Sequence, residues 1–217
     1  MCGFPVWAQT PSDTSTPPSG EPKRIFGIVP NFRTSPFPEP YHPLTAAEKF
    51  KIASEDSFDR GTIALGLIFG AQAQWSGSNP SFGHGAPAYA RYAATSYADF
   101  VIGDYMTEAI YPTLLHQDPR YFRRGVGHGW SRLGYAMGQI FWTHNDSGKE
   151  GFNYSELAGN ATAVAISNAY YTDGRTLSDG ASKMAVQIGV DMASNVLKEF
   201  WPDVRRKLHL VHDDSEH

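Results

Sequence analysis

The sequence predicts an all-α protein, a compact bundle of about five or six Gly/Ala-rich helices behind a Pro/Ser-rich disordered N-terminal tether. Three observations point there. Apolar residues recur near every 3.6 positions in the second half of the chain, as on one face of a helix. Gly and Ala crowd the apolar segments, which lets helix backbones approach closely. The only strand-like stretch, Arg24–Pro30, has no hairpin partner in the sequence, so no sheet is expected.

The chain begins irregularly. Val6-Trp7-Ala8 before Gln9 reads like the end of a secretory signal peptide whose basic and apolar parts would lie upstream of Met1. Residues 10–43 are rich in Pro, Ser and Thr, which forbids helix and favours extended chain. Arg24–Pro30 is the one adhesive patch on that tether. The expected division is therefore 1–43 residual signal peptide and tether, 44–208 helical domain, and 209–217 disordered tail.

Order is expected from Thr45, where Thr45-Ala46-Ala47-Glu48 fits a capping box opening a short helix to Ser54. Asp59 is a cap for Gly61–Trp75, a segment apolar all round from Ile63 to Ala71 and therefore expected to be buried. It is shorter than the roughly 20 residues that cross a bilayer. Its Gly66 and Gly70 form a GxxxG pair. The Gly- and Pro-rich loop Ser76–Pro87 leads to a long helix over Tyr89–Ile110, bent or ended near Pro112. Trp130–Trp142 is the next helix, with Trp130, Leu133, Met137 and Phe141 on one face. After a polar turn, Asn145–Gly151, come an Ala-rich helix over Tyr154–Tyr171 and a last helix over Ser178–Phe200, stopped by Pro202.

Composition narrows the function. At 217 residues there is room for one well-packed domain. Charged residues make up only 18%, against about a quarter in an average soluble domain, which suits a large buried surface, an interface or a membrane-facing side. A net charge of -4 gives no basic footprint for nucleic acid. The single cysteine, Cys2, excludes an intrachain disulfide framework and a Cys-based zinc site.

The polar residues on apolar helices have the most to explain. Asp99, Asp104 and Glu108 lie on the long helix, and the last two share a face, where like charges repel. Such a pair can bind a metal, share a proton or grip an arginine such as Arg132. No Glu-x-x-His motif accompanies it, and His84, His116, His128 and His144 all fall in loops or at helix ends, so no metal or other cofactor is expected. Glu156 and Asn160 repeat the spacing, and Asn168 and Asp191 add further polar groups. The expectation is a network in which these eight residues pair across the bundle and fix its register.

Two resemblances bear on activity. Pro80-Ser81-Phe82-Gly83-His84 looks like the PSGH element of acid phosphatases related to phosphatidic acid phosphatase, with Ser131-Arg132 as their SR element. That family uses one His on phosphorus, another as acid, and Lys and Arg on the phosphate. Here Phe82 interrupts the element, Gly138 stands where the second His belongs, Lys51 and Arg60 are wrongly spaced, and Gly61 replaces the proline of the Arg-Pro element. Separately, RIFGIVPNF, SFDRG, HQDPRYFRRG, FNYSELAGN, SNAYY and LKEFWPDVRRKL, spread from Arg24 to Leu208, resemble a family of bacterial exported or membrane proteins without an assigned activity. That resemblance implies export and association with the cell envelope, and it transfers no catalytic residues.

Aromatic residues followed by basic ones suit a bilayer interface. Trp201 with Arg205 and Arg206 has that order, and Arg120, Arg123 and Arg124 flank Tyr121 and Phe122. The expected function is a non-enzymatic structural or interaction protein of the bacterial envelope. It would contact a membrane surface or envelope proteins, with a homo-oligomer also open. The alternatives are a degenerate phosphatase-like hydrolase and a lipid or small-ligand carrier.

Overall fold

The structure is a computed structural model that describes residues 24–25, 29–35 and 40–208. The signal-like start and the C-terminal tail lie outside the described residues.

Six main helices form the bundle, as expected from the sequence. Helix α1 (Ala46–Ser57) starts on the predicted capping box: Glu48 N–H donates to the Thr45 hydroxyl, and Thr45 N–H donates to the Glu48 carboxylate at 2.8 Å. Helix α2 (Arg60–Ser76) starts on Asp59, whose carboxylate accepts from Gly61 N–H at 2.7 Å. It ends on Gly77, which adopts the left-handed conformation that glycine accepts at no steric cost.

Helix α3 (Gly85–Asp104) lies antiparallel against α2, with Gly66 seated on Tyr97 and Gly70 on Ala93. The GxxxG pair therefore makes a close backbone contact. The expectation that α2 is buried on every side is not met. Its glycine face is covered, while Ile63, Leu67, Ile68 and Trp75 are exposed.

Beyond Asp104 the helix passes through a π-helical turn, Tyr105–Ile110, into the short α4 (Tyr111–Leu114). Pro112 explains the change. It has no N–H to give to the carbonyl four residues back, and the wider turn reroutes the ladder, with Tyr111 N–H reaching Met106 O. Tyr105–Ile110 packs on α6 (Tyr154–Tyr170), where Gly159 meets Met106 and Thr107.

Three local readings are corrected. Helix α5 (Gly129–Gly138) is shorter than predicted. Trp142–His144 leaves the helix as strand β5 and pairs antiparallel with Glu150–Phe152, β6, across the predicted polar turn. Asn145 Oδ1 anchors that turn by accepting from Ser147 N–H at 3.0 Å and Lys149 N–H at 3.1 Å. The tether also forms strands. Arg24–Ile25 (β1) pairs antiparallel with Val29–Pro30 (β2), and Thr34–Ser35 (β3) pairs parallel with Tyr121–Phe122 (β4). Ile25 is fully buried, so this part of the predicted tether belongs to the folded body.

The third correction is α7 (Leu177–Lys207), which runs straight through Pro202. A mid-helix proline orphans a carbonyl one turn back. That carbonyl, Lys198 O, accepts from Arg123 Nε at 3.2 Å, and the adjacent Glu199 O accepts from Arg132 Nη2 at 2.7 Å. Arg123 supplies the one donor that the proline removes, and Arg132 adds a donor on the next carbonyl.

The α2–α3 contact gives the first prediction. A Cβ on Gly70 would lie 2.5 Å from Ala93 Cα and 2.7 Å from its nitrogen, backbone atoms that cannot swing aside. Gly70→Ala should therefore cost about 1–3 kcal/mol by overpacking, measured as a lower urea midpoint with an unchanged m value. An unchanged midpoint would show that the helices separate freely.

Candidate functional site

The long helix places Asp104 and Glu108 on its inner face, and neighbouring elements bring further ionisable groups to them. Arg33 enters from the strap before β3, Asp56 from α1, Glu156 and Asn160 from α6, and Asp191 and Lys198 from α7. Arg33 Nη1 stands 3.2 Å from Glu108 Oε1, and Ser57 Oγ donates to Asp104 at 3.1 Å. Asn160 Nδ2 donates to Glu156 Oε1 at 3.0 Å and reaches Asp191 Oδ2 at 3.5 Å.

Five carboxyl groups thus face two cations, and burial pushes the proton affinities of several acids up. Asp104 and Glu108 are held well above the usual carboxylate range, by burial first and then by their acidic neighbours, and Asp56 is raised for the same reason. Glu156 is pushed up to about 8 by burial and by Asp191. Lys198 is pushed down to about 8, by burial and by Arg33. Burial alone would lower Arg33 too, but Glu108, Glu156 and Asp191 outweigh it and keep the guanidinium charged. Asp56 lies against Glu108, and Glu156 lies against Asp191.

This cluster forms one end of a cavity of about 470 Å³ between α2, α3, α6 and α7. Arg33, Asp104, Thr107, Asn160 and Asp191 line that end, and Phe69, Phe100, Val164, Val186 and Val190 supply apolar wall. Asp99 also lines it, accepting from the hydroxyls of Tyr170 and Tyr171. Lys183 lies nearby, 4.5 Å over the Tyr171 ring, and donates to Asn168 Oδ1 at 2.9 Å. A cavity of this size with apolar walls and a few convergent polar groups is the usual form of a small-molecule site. Among the described residues no three His, Cys, Asp or Glu side chains stand together as a metal requires.

The predicted network is therefore divided. Asp104, Glu108, Glu156, Asn160 and Asp191 come together. Asp99 and Asn168 join the tyrosine–lysine side of the cavity. Arg132 serves a different centre, bonding Glu199 Oε1 at 2.7 Å and Asp203 Oδ2 at 2.6 Å in the α5–α7 contact. Glu199 is fully buried there and also accepts from Tyr121 Oη at 2.8 Å and Gly125 N–H at 2.9 Å. The place expected for Arg132 is taken by Arg33. Neither Arg33 nor Lys198 was singled out in the sequence. Arg33 sits between proline-rich runs, and Lys198 stands near the predicted end of the last helix with no apolar spacing to mark it as buried.

The residues proposed for headgroup contact are largely engaged inside the protein. Arg120 chelates Asp118 and donates to His42 O at 2.8 Å, while Arg123 completes the α7 ladder. Arg124 reaches Ser131 Oγ at 3.1 Å and lies over Tyr135, and Trp201 is buried. Arg205 is half-buried, and exposed Arg206 pairs with Asp203. Of the phosphatase-like elements, Ser81 Oγ bonds Thr172, whereas Arg132 is committed to Glu199 and Asp203, so no phosphate cradle forms from them. No family model, curated protein or solved structure matches the chain.

The acid cluster makes stability depend on pH. Native Glu156 keeps its proton up to about 8, whereas an unfolded glutamate releases it near 4.5. Between those values the native state binds more protons, so stability falls as pH rises. Asp56, Asp104 and Glu108 act in the same direction. Glu156→Gln keeps a neutral donor toward Asp191 and should reduce the loss between pH 5 and pH 8 by on the order of 1–2 kcal/mol, measured by urea unfolding at both pH values. An unaltered pH slope would mean that Glu156 is ionised in the native state.

Proposed function

We propose that the protein is a non-enzymatic small-ligand binder, a carrier of the bacterial cell envelope, and that the α2–α3–α6–α7 cavity holds its ligand. The observation that carries this is the cavity itself: apolar walls at one side and unlike-charged side chains at the other. The pocket is partly open to solvent, and its apolar walls with a few convergent polar groups suit a small molecule entering from outside. The envelope assignment rests on the family resemblance and on the signal-like Val6-Trp7-Ala8.

Native mass spectrometry and solvent extraction of protein purified from its own cells should yield a small molecule in near-stoichiometric amount. Val190→Trp, which fills the cavity from α7, should remove it while leaving the helical circular dichroism intact. Absence of any small molecule from the unaltered protein would overturn the carrier reading.

A second reading, docking on a membrane surface, is favoured by α2. After Arg60 this helix has no charged residue, and its exposed Ile63, Leu67, Ile68 and Trp75 form an apolar outer face. Exposed apolar patches of this kind mark contact surfaces, and Trp suits a bilayer interface. No helix among the described residues is long and apolar enough to cross a membrane, so this contact would be peripheral. The protein should float with neutral phosphatidylcholine vesicles and stay bound in high salt, because the face is uncharged. Ile68→Glu should release it. Failure to float, with a concentration-dependent dimer in solution, would assign the face to a second copy instead.

A further inference from the structure

We propose that the cavity selects a protonated primary amine carried on an apolar body. The inference rests on the ligand-binding reading above and adds the chemistry of the ligand.

Charge is the first argument. Five aspartates line the cavity against only Arg33 and Lys183. Both cations are already engaged, Arg33 by Glu108 and Lys183 by Asn168 and the Tyr171 ring. Asp99, by contrast, is held by two tyrosine hydroxyls, and Asp104 accepts from the Ser57 hydroxyl. These neutral donors satisfy hydrogen-bonding capacity without bringing a positive charge of their own. An anionic ligand would meet more acidic than basic side chains along the lining. A cation would be attracted.

Hydrogen bonding is the second argument, and it is independent of charge. Asn160 is completely buried and lines the cavity. Its amide nitrogen is committed to Glu156 and Asp191, which fixes the amide orientation and leaves Oδ1 as an acceptor with no partner. A buried acceptor without a donor costs about 1–3 kcal/mol, so a ligand that brings N–H groups to it binds with that cost removed. The opposite requirement is smaller: among the described residues, Arg33 Nε is the one buried lining donor left without a partner. A primary ammonium has three N–H donors, enough to serve Asn160 Oδ1 and the carboxylates of Asp104 and Asp191 together. A quaternary ammonium has none. The apolar walls then accommodate the body of the molecule, with Phe69 and Phe100 already set edge to face at 5.4 Å.

Titration calorimetry on the full chain at pH 7 tests this with four probes of equal chain length: n-octylamine, n-octanol, octanoate and octyltrimethylammonium. Octylamine should bind about tenfold tighter than octanol, the value of roughly one charge-assisted hydrogen bond, and tighter still than the other two. Val190→Trp should abolish its binding, which locates it in the cavity. Asp191→Asn should weaken octylamine about tenfold and leave octanol unchanged. If that variant fails to fold by circular dichroism, the ranking of the four probes on the unaltered protein decides alone. Equal binding of octanol or octyltrimethylammonium, or preference for octanoate, overturns the amine inference while the carrier reading stands. The same holds if none of the four binds but a ligand still co-purifies. If none binds and nothing co-purifies, both fall.

Discussion

Arg33 is the residue on which the interior depends. It is contributed by an extended segment and pushed between helices into a group of five carboxyls. An isolated carboxylate in such a place is expensive, and a buried ion pair only offsets that cost when its remaining hydrogen-bonding groups are also satisfied. Here part of the solution is the guanidinium and part is protonation, burial raising the proton affinities of Asp56, Asp104, Glu108 and Glu156. The strap that carries Arg33 is tied down by backbone pairing, Tyr121 N–H donating to Arg33 O at 2.9 Å. The pairing of β3 with β4 and the charge balance of the core are thus one structural fact.

A second polar centre does comparable work beside the first, built on the next residue of α7. Glu199 and the carbonyls around Pro202 collect donors from Tyr121, Arg123, Arg132 and the backbone near Gly125. The basic run after Tyr121 is therefore consumed in stitching α7 to β4 and α5. This explains why the low overall charge of the chain does not mean an apolar interior. Many of its few charged residues are inside.

These two centres differ in what they leave over. Around Glu199 the carboxylate oxygens are filled and the helix carbonyls are paired, which describes a rigid joint. Around Asn160 and Asp191 the polar groups border open volume, one acceptor has no partner, and the acids outnumber the cations. A rigid joint beside unmet bonding capacity is the arrangement expected of a binding protein, whose site must be held in shape by something other than its ligand. The exposed apolar face of α2 lies on the outer side of the same helix pair that walls the cavity.

The sequence by itself determined the helical class, the capping box at Thr45, the cap at Asp59, the small-residue face of α2 at Gly66 and Gly70, and the acids of the long helix as the residues most in need of partners. All of these are local: they depend on propensity, periodicity, or the spacing of residues within one turn of each other. Tertiary structure decided the rest. Helix α7 survives Pro202 because Arg123, distant in sequence, supplies a donor to Lys198 O. Trp142–His144 becomes a strand because it pairs with Glu150–Phe152. Most of all, the partner of Glu108 turned out to be Arg33 and not Arg132, and no periodicity within the long helix could have said so. Which cation meets a buried carboxylate is settled by where the chain crosses itself, and that is a property of the folded backbone alone.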